Sequence, residues 1–294
     1  MRTSNVVLAR NSRLPSAVFI VVAVAVTLSS RLMWAQTDNW TGGSGNWSIV
    51  ANWSLGQVPS PSNDCDIPSG SAPTIDIAGT CQNLILASGS TIDMNPGYLD
   101  IYGTSLANSG TISIAGTPLN VGGNNANTVS LTGGGTISMN ATNSDITGFS
   151  GVGGTLVNVD NTIQGQGQVG LGVISIMNQA TISAGAGTLT VQPSVAGLVN
   201  TGTMQAGNGG TLSFHGGFSS TTFTNTGGMI EALSGGTVLL NEGTFVGGTL
   251  SSAGSGILTT GSGGENPILG TIANRCVRSR SIGSEGPHSR DTRR

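Results

Sequence analysis

Short apolar pairs spaced two residues apart, each closed by a Gly- or Asn-rich turn, recur through most of this chain and restrict its fold more than any other feature. The pairs include Ile112/Ile114, Leu119/Val121, Val129/Leu131, Ile137/Met139, Ile174/Ile176, Leu189/Val191 and Leu212/Phe214. Spacing of two places both side chains on one face of an extended strand. Gly-Gly, Asn-Gly-like and Ser-Gly clusters bound strands only a few residues long. No stretch of the body carries a 3.6-residue apolar period.

The pairs belong to a longer repeat. Asn178-Gln-Ala-Thr-Ile-Ser-Ala-Gly-Ala-Gly-Thr-Leu-Thr-Val191 matches Asn200-Thr-Gly-Thr-Met-Gln-Ala-Gly-Asn-Gly-Gly-Thr-Leu-Ser-Phe214. Further copies start at Asn225 and, shorter, at Asn241, and an earlier one at Asn108. Asn178, Asn200, Asn225 and Asn241 follow one another at 22, 25 and 16 residues. A period in this range predicts stacked units, none of which buries its apolar face alone. The fold class expected is therefore all-β, a parallel β-helix or β-solenoid. Its narrow core explains how a chain with only 4% aromatic residues can fold. Glycine, 48 of 294 residues, serves the corners. Asn at a fixed place in each unit predicts a stacked amide ladder of the kind found in cross-β assemblies.

Charge excludes whole classes of function. Only 8% of residues are charged and the net charge is −3. There is no lysine, and no arginine lies between Arg31 and Arg275. That stretch holds Asp38, Asp64, Asp66, Asp76, Asp93, Asp100, Asp145, Asp160, Glu231, Glu242 and Glu265, with His215 its single histidine. A nucleic-acid partner needs cations that displace counterions from phosphate, and an anionic membrane needs them too. Both are excluded for the body.

The ends differ from the body. Residues 1–36 read as a signal peptide: Arg2, Arg10 and Arg13, then the apolar run Ala17–Leu28, then Met33-Trp34-Ala35 with a small residue at the cleavage position. The run is short for a membrane span, so no span is expected after leader cleavage. Residues 37–68 form a Trp-rich N-terminal cap, residues 69–270 the solenoid, and residues 271–294 a basic, disordered tail. The location expected is secreted or cell-surface. In that oxidising setting Cys65 and Cys81 are candidates for a disulfide.

The opening Trp40-Thr-Gly-Gly-Ser-Gly-Asn-Trp47, with Trp53 beyond it, followed by Asn-x-Gly-Thr-Ile and Gly-Thr-Leu-x-Val units, resembles exported bacterial β-helix repeat proteins. These are similar to the passenger domains of autotransporter and filamentous-haemagglutinin-type adhesins. Val157-Asn-Val-Asp-Asn-Thr-Ile-Gln-Gly-Gln-Gly-Gln-Val-Gly170 is the strongest single match. The resemblance implies a right-handed parallel β-helix displayed at a cell surface, and it carries over no catalytic residue. The chain departs from the full autotransporter plan in that no C-terminal membrane β-barrel follows.

Several motifs compete with this structural reading. Gly165-Gln-Gly-Gln-Val-Gly170 matches G-x-G-x-x-G, but a dinucleotide site needs a helix next and an acid about 20 residues on, and neither follows. Asp64 with Asp66, or Glu231 with Glu242, would supply the two carboxylates of a polysaccharide hydrolase. Asp64, Asp66 and Asp76 would supply oxygen ligands to calcium. Trp40, Trp47 and Trp53 are candidate glycan contacts, with burial in a cap as the competing role. The function expected is a non-catalytic adhesive or structural module touching an extracellular glycan or host matrix. The alternatives are a hydrolase, or a carbohydrate-binding module at the Trp-rich end. No catalytic residue, cofactor or metal is assigned.

Overall fold

A computed structural model describes residues 35–149, 151–216, 221–261 and 268–270. The leader, apart from its last two residues, and the basic tail lie outside the described residues. Among those described, short strands succeed one another with almost no helix, and about nine turns of chain stack as a β-solenoid.

Each turn visits three faces in the same order. In one turn these are Leu84–Leu86, Thr91–Met94 and Tyr98–Ile101; in the next they are Ser105–Asn108, Thr111–Ile114 and Pro118–Val121. Within the stack each of these strands pairs in parallel with the equivalent strands of the neighbouring turns. Backbone groups are thus satisfied between turns, not within them. A single turn holds little by itself, and stability accrues turn by turn.

Register carries the period-two pattern into the core. On the second face Ile92, Ile112, Ile137, Ile163, Ile182, Met204, Ile230 and Leu250 stand one above another. All are fully buried. Each such side chain contributes about 1.5–3 kcal/mol by leaving water. The residues between them, Thr111, Ser113, Thr136 and Ser138 among them, face outward and fit an exposed strand without adding charge. Phe214, Phe223 and Phe245 fill the later turns, with ring centroids 4.6–5.5 Å apart.

The corner between the second and third faces shows why glycine recurs. Thr211 and Thr237, the residues just past that corner, stand in register, as do Thr237 and Ile257, so successive turns meet corner to corner. At Gly236 a Cβ would collide with the carbonyl oxygen of Ala206, and at Gly256 with that of Ala232. In two turns the corner is smoothed into one long strand, Thr162–Val169 and Thr181–Val191. Gly165 and Gly167, with φ of 119° and 123°, absorb the bend there as a bulge. The G-x-G-x-x-G motif is therefore a strand crossing a corner, with no helix after it.

The amide ladder is continuous and buried. Asn158 donates to Asn178 at 2.9 Å, Asn178 to Asn200 at 2.8 Å, and Asn200 to Asn225 at 2.7 Å. Asn108 joins through Asn161 at 2.8 Å, and Asn161 is bonded to Asn158. One expectation is corrected: Asn241 is not in the ladder. It follows the third-face strand Thr237–Leu240 and donates to Ser213. Phe245 stands on Phe223, so the ladder position after Asn225 falls on the Gly247-Gly248 pair. A side chain at Gly248 would strike the Asn225 carbonyl, so the ladder ends in glycine.

Candidate functional site

At the N-terminal end of the described chain, Trp40, Trp47 and Trp53 pack on one another with centroids 4.5–6.4 Å apart. They are 1%, 0% and 3% exposed. Trp40 donates through Nε1 to the Gly43 carbonyl and Trp53 to that of Trp47. Trp47 lies over Gly79, where a Cβ would come within 3.3 Å of its Nε1. Rings held this way offer no face to a sugar, and the glycan-contact role expected of these three residues is corrected. They lie beside Gln36–Asn39 and Ser44–Asn46, the first strands among the described residues.

Cys65 and Cys81 are bonded, with S–S 2.02 Å, and tie the first-face strand Asn63–Ile67 to the third-face strand Ala78–Cys81 across the core. Both are fully buried.

The acids named from sequence are dispersed. Asp64 and Asp66 share the outer side of one strand, and Asp64 accepts from the Asn83 amide at 2.7 Å. Asp76 follows a different face and is engaged by Ser48, whose hydroxyl and backbone N–H donate at 2.6 and 3.0 Å. Burial pushes the Asp76 carboxyl up, but these bonds outweigh it and hold the carboxyl below its ordinary value. The calcium set of Asp64, Asp66 and Asp76 is thus not assembled, and among the described residues no three Cys, His, Asp or Glu come together in a metal-binding group. Glu231 lies within a second-face strand and accepts from Ser251, while Glu242 lies beyond the third face, 3.8 Å from the exposed His215. Those two carboxylates do not form a pair.

Two features of the outer surface remain. The first is a shallow concavity of about 280 Å³ on the second face, lined by Ser138, Asn140, Gln164, Ser183 and Asn208. It offers hydroxyls and amides and no charge.

The second was not singled out from sequence. It occupies the third face over three successive turns. Leu99 and Ile101 point inward, so Tyr98, Asp100 and Tyr102 project outward from the same strand and its end. In register beside them stand Pro118, Asn120 and Gly122, then Asp145, Thr147 and Phe149. Tyr102 and Phe149 meet edge to face, centroids 4.8 Å apart, across the intervening turn. The residue in register between them is Gly122, at φ 97°. Asp100 is 7% exposed and accepts from the Asn120 amide at 2.7 Å. Burial lifts its carboxyl above the usual range despite that bond, and burial lifts Asp145 likewise. Asp145 Oδ1 and Thr147 Oγ1 are buried and find no protein partner. Tyr98, at the patch edge, is 39% exposed. These are the only two tyrosines in the chain, and both lie here.

The signal for this patch was present as an alternation opposite in phase to the core pair Leu99/Ile101. What hid it was its spread over three turns. Comparison with family models, with curated proteins and with solved structures returned no match for the chain. Its class is that defined by the fold, a parallel β-solenoid.

Proposed function

We propose that the protein is an exported, non-catalytic β-solenoid that serves outside the cell as an adhesive or structural module in contact with glycan or matrix. The observation that carries this reading is the outer surface. Through the described turns it is rich in Ser, Thr, Asn and Gln and carries no lysine or arginine. Such a surface matches uncharged polyhydroxy partners and repels polyanions. The leader pattern and the Cys65–Cys81 bond support export, because disulfides persist in oxidising compartments. The Trp40/Trp47/Trp53 cluster, in this reading, is the cap that closes the first turn. The resemblance to adhesin passenger domains supports display at a cell surface.

The test is protease shaving of intact cells carrying the epitope-tagged full chain, together with adhesion of the purified protein to immobilised polysaccharides. Surface-accessible protein that retains glycan-coated beads and releases no reducing sugar is expected. Reducing-sugar release that disappears in Asp100→Asn or Asp145→Asn would establish the hydrolase instead, and protein confined to the cytoplasm would defeat the export reading.

A further inference from the structure

We infer that the Tyr98–Asp100–Tyr102 strand and the two turns beside it form a binding site for a neutral oligosaccharide. The inference rests on the glycan-contact reading above and supplies its location and chemistry.

The site has the parts that sugar recognition requires. Sugar rings present apolar C–H faces that pack on aromatic side chains, and hydroxyls that need partners with direction. The third-face patch pairs Tyr98 at one end with the Tyr102–Phe149 couple at the other. Four residues of strand separate the two tyrosines, roughly 13 Å at the strand rise. That distance suits a short oligosaccharide lying along the strand and stacking at both ends, and is too long for one monosaccharide. Between the aromatic ends lie the polar groups. Asp100 accepts from Asn120, which fixes the amide and leaves the second carboxyl oxygen for a ligand hydroxyl. Thr147 Oγ1 and Asp145 Oδ1, both buried and without protein partners, complete the row. Buried polar atoms normally find partners, and two orphans in one patch mark where a ligand's hydroxyls would bond.

Two alternatives meet the same groups less well. A divalent cation needs several oxygens at one point, yet Asp100 and Asp145 lie two turns apart and offset by two positions along the strand. An organic ammonium ion would suit Asp100 between aromatic rings. It would, however, leave the Thr147 hydroxyl and the Asn120 carbonyl without a role. The concavity on the second face has hydroxyls and amides but no aromatic platform, so it serves as the internal control.

The experiment is calorimetric titration of the full mature chain with cellotetraose, maltotetraose, chitotetraose and choline. Variants are Tyr98→Ala, Thr147→Val and, for the control, Gln164→Ala, each checked for unchanged far-UV circular dichroism and melting temperature. Tyr98 is exposed, so its replacement leaves the core intact. Binding of at least one tetraose is expected, weakened at least about tenfold by Tyr98→Ala and by Thr147→Val and unaltered by Gln164→Ala. Three outcomes overturn the inference: no tetraose binds; binding survives Tyr98→Ala and Thr147→Val; or choline alone binds. If no tetraose binds in solution but the protein still holds polysaccharide-coated beads, this site is refuted while the adhesive reading stands. If bead adhesion is absent too, both fall.

Discussion

Asn200 shows how much one side chain carries in a stacked fold. It accepts from Asn178 and donates to Asn225 and to the carbonyls of Gly202 and Met229, all within a fully buried column. Replacing it with alanine removes one rung and takes from the buried Asn225 amide oxygen the donor that Asn200 supplies. Asn200→Ala should lower stability by at least about 2 kcal/mol in urea denaturation, whereas Asn241→Ala, outside the ladder, should change it little. Asp100 makes a prediction of a different kind. Its native carboxyl is lifted above the value of 3.8 that it has when exposed. Between those two values the native state holds the proton that the unfolded state has released, so stability falls as pH rises through the window. Asp100→Asn lacks this titration. The stability of the variant relative to wild type should rise from acid to neutral pH, with Asp76 and Asp160 cancelling because both proteins contain them. Paired urea titrations below pH 3.8 and near pH 7 decide it, and a pH-independent difference would refute the buried-carboxyl assignment.

Among the elements, Gln36–Asn39 and Ser44–Asn46 stand at one edge of the described stack, each paired on one side among the described residues. Trp40, Trp47 and Trp53 lie buried beside them, and the Cys65–Cys81 bond joins Asn63–Ile67 to Ala78–Cys81. The bond closes a loop with a sequence separation of 16 residues. A loop of that size restricts the unfolded chain by about 3 kcal/mol. Cys65→Ser/Cys81→Ser should lose stability of that order, with the loss of hydrogen-exchange protection greatest in the turns holding Asn63–Ile67 and Ala78–Cys81 and weakest near Thr237–Leu240. A uniform loss along the solenoid would mean that it melts as one unit. The strands themselves were legible in the sequence because their apolar pairs alternate in plain view. The Asn241 copy was misplaced because Asn-Glu-Gly-Thr imitates the unit locally, while the register is set by Phe245 standing on Phe223.

Across the whole molecule, a fold built from turns that touch only their neighbours can lose one turn if register is kept. Asn158 and Asn178 stand in register, as do Asn178 and Asn200, and the last two are 22 residues apart. Deleting 178–199 joins Met177 directly to Asn200 and restores every ladder, with Asn158 now donating to Asn200. This shortened protein should remain folded, with a cooperative melt and a β spectrum. Deleting 178–188, half a turn, should not fold, because it brings a second-face strand against a third-face strand and turns the apolar rows out of line. Soluble expression and circular dichroism of the two deletions compare them directly.

What the amino-acid order determined alone is the solenoid and its amide column: period-two pairs, turn glycines and an Asn per unit are local signals, and repetition reinforces them. It also determined that no lysine or arginine lies between Arg31 and Arg275. What only the tertiary structure decided is which residues share a surface. Trp40, Trp47 and Trp53 read from sequence as a buried cap with sugar contact as the competing role, and their burial decided between the two. The Tyr98, Asp100, Tyr102, Asn120, Thr147 and Phe149 patch had no signature in one dimension. Its members come together through register between turns separated by 20 residues and more. Spacing along a chain fixes which side of a strand a residue occupies, but the residues above and below it are set by the length of every turn between.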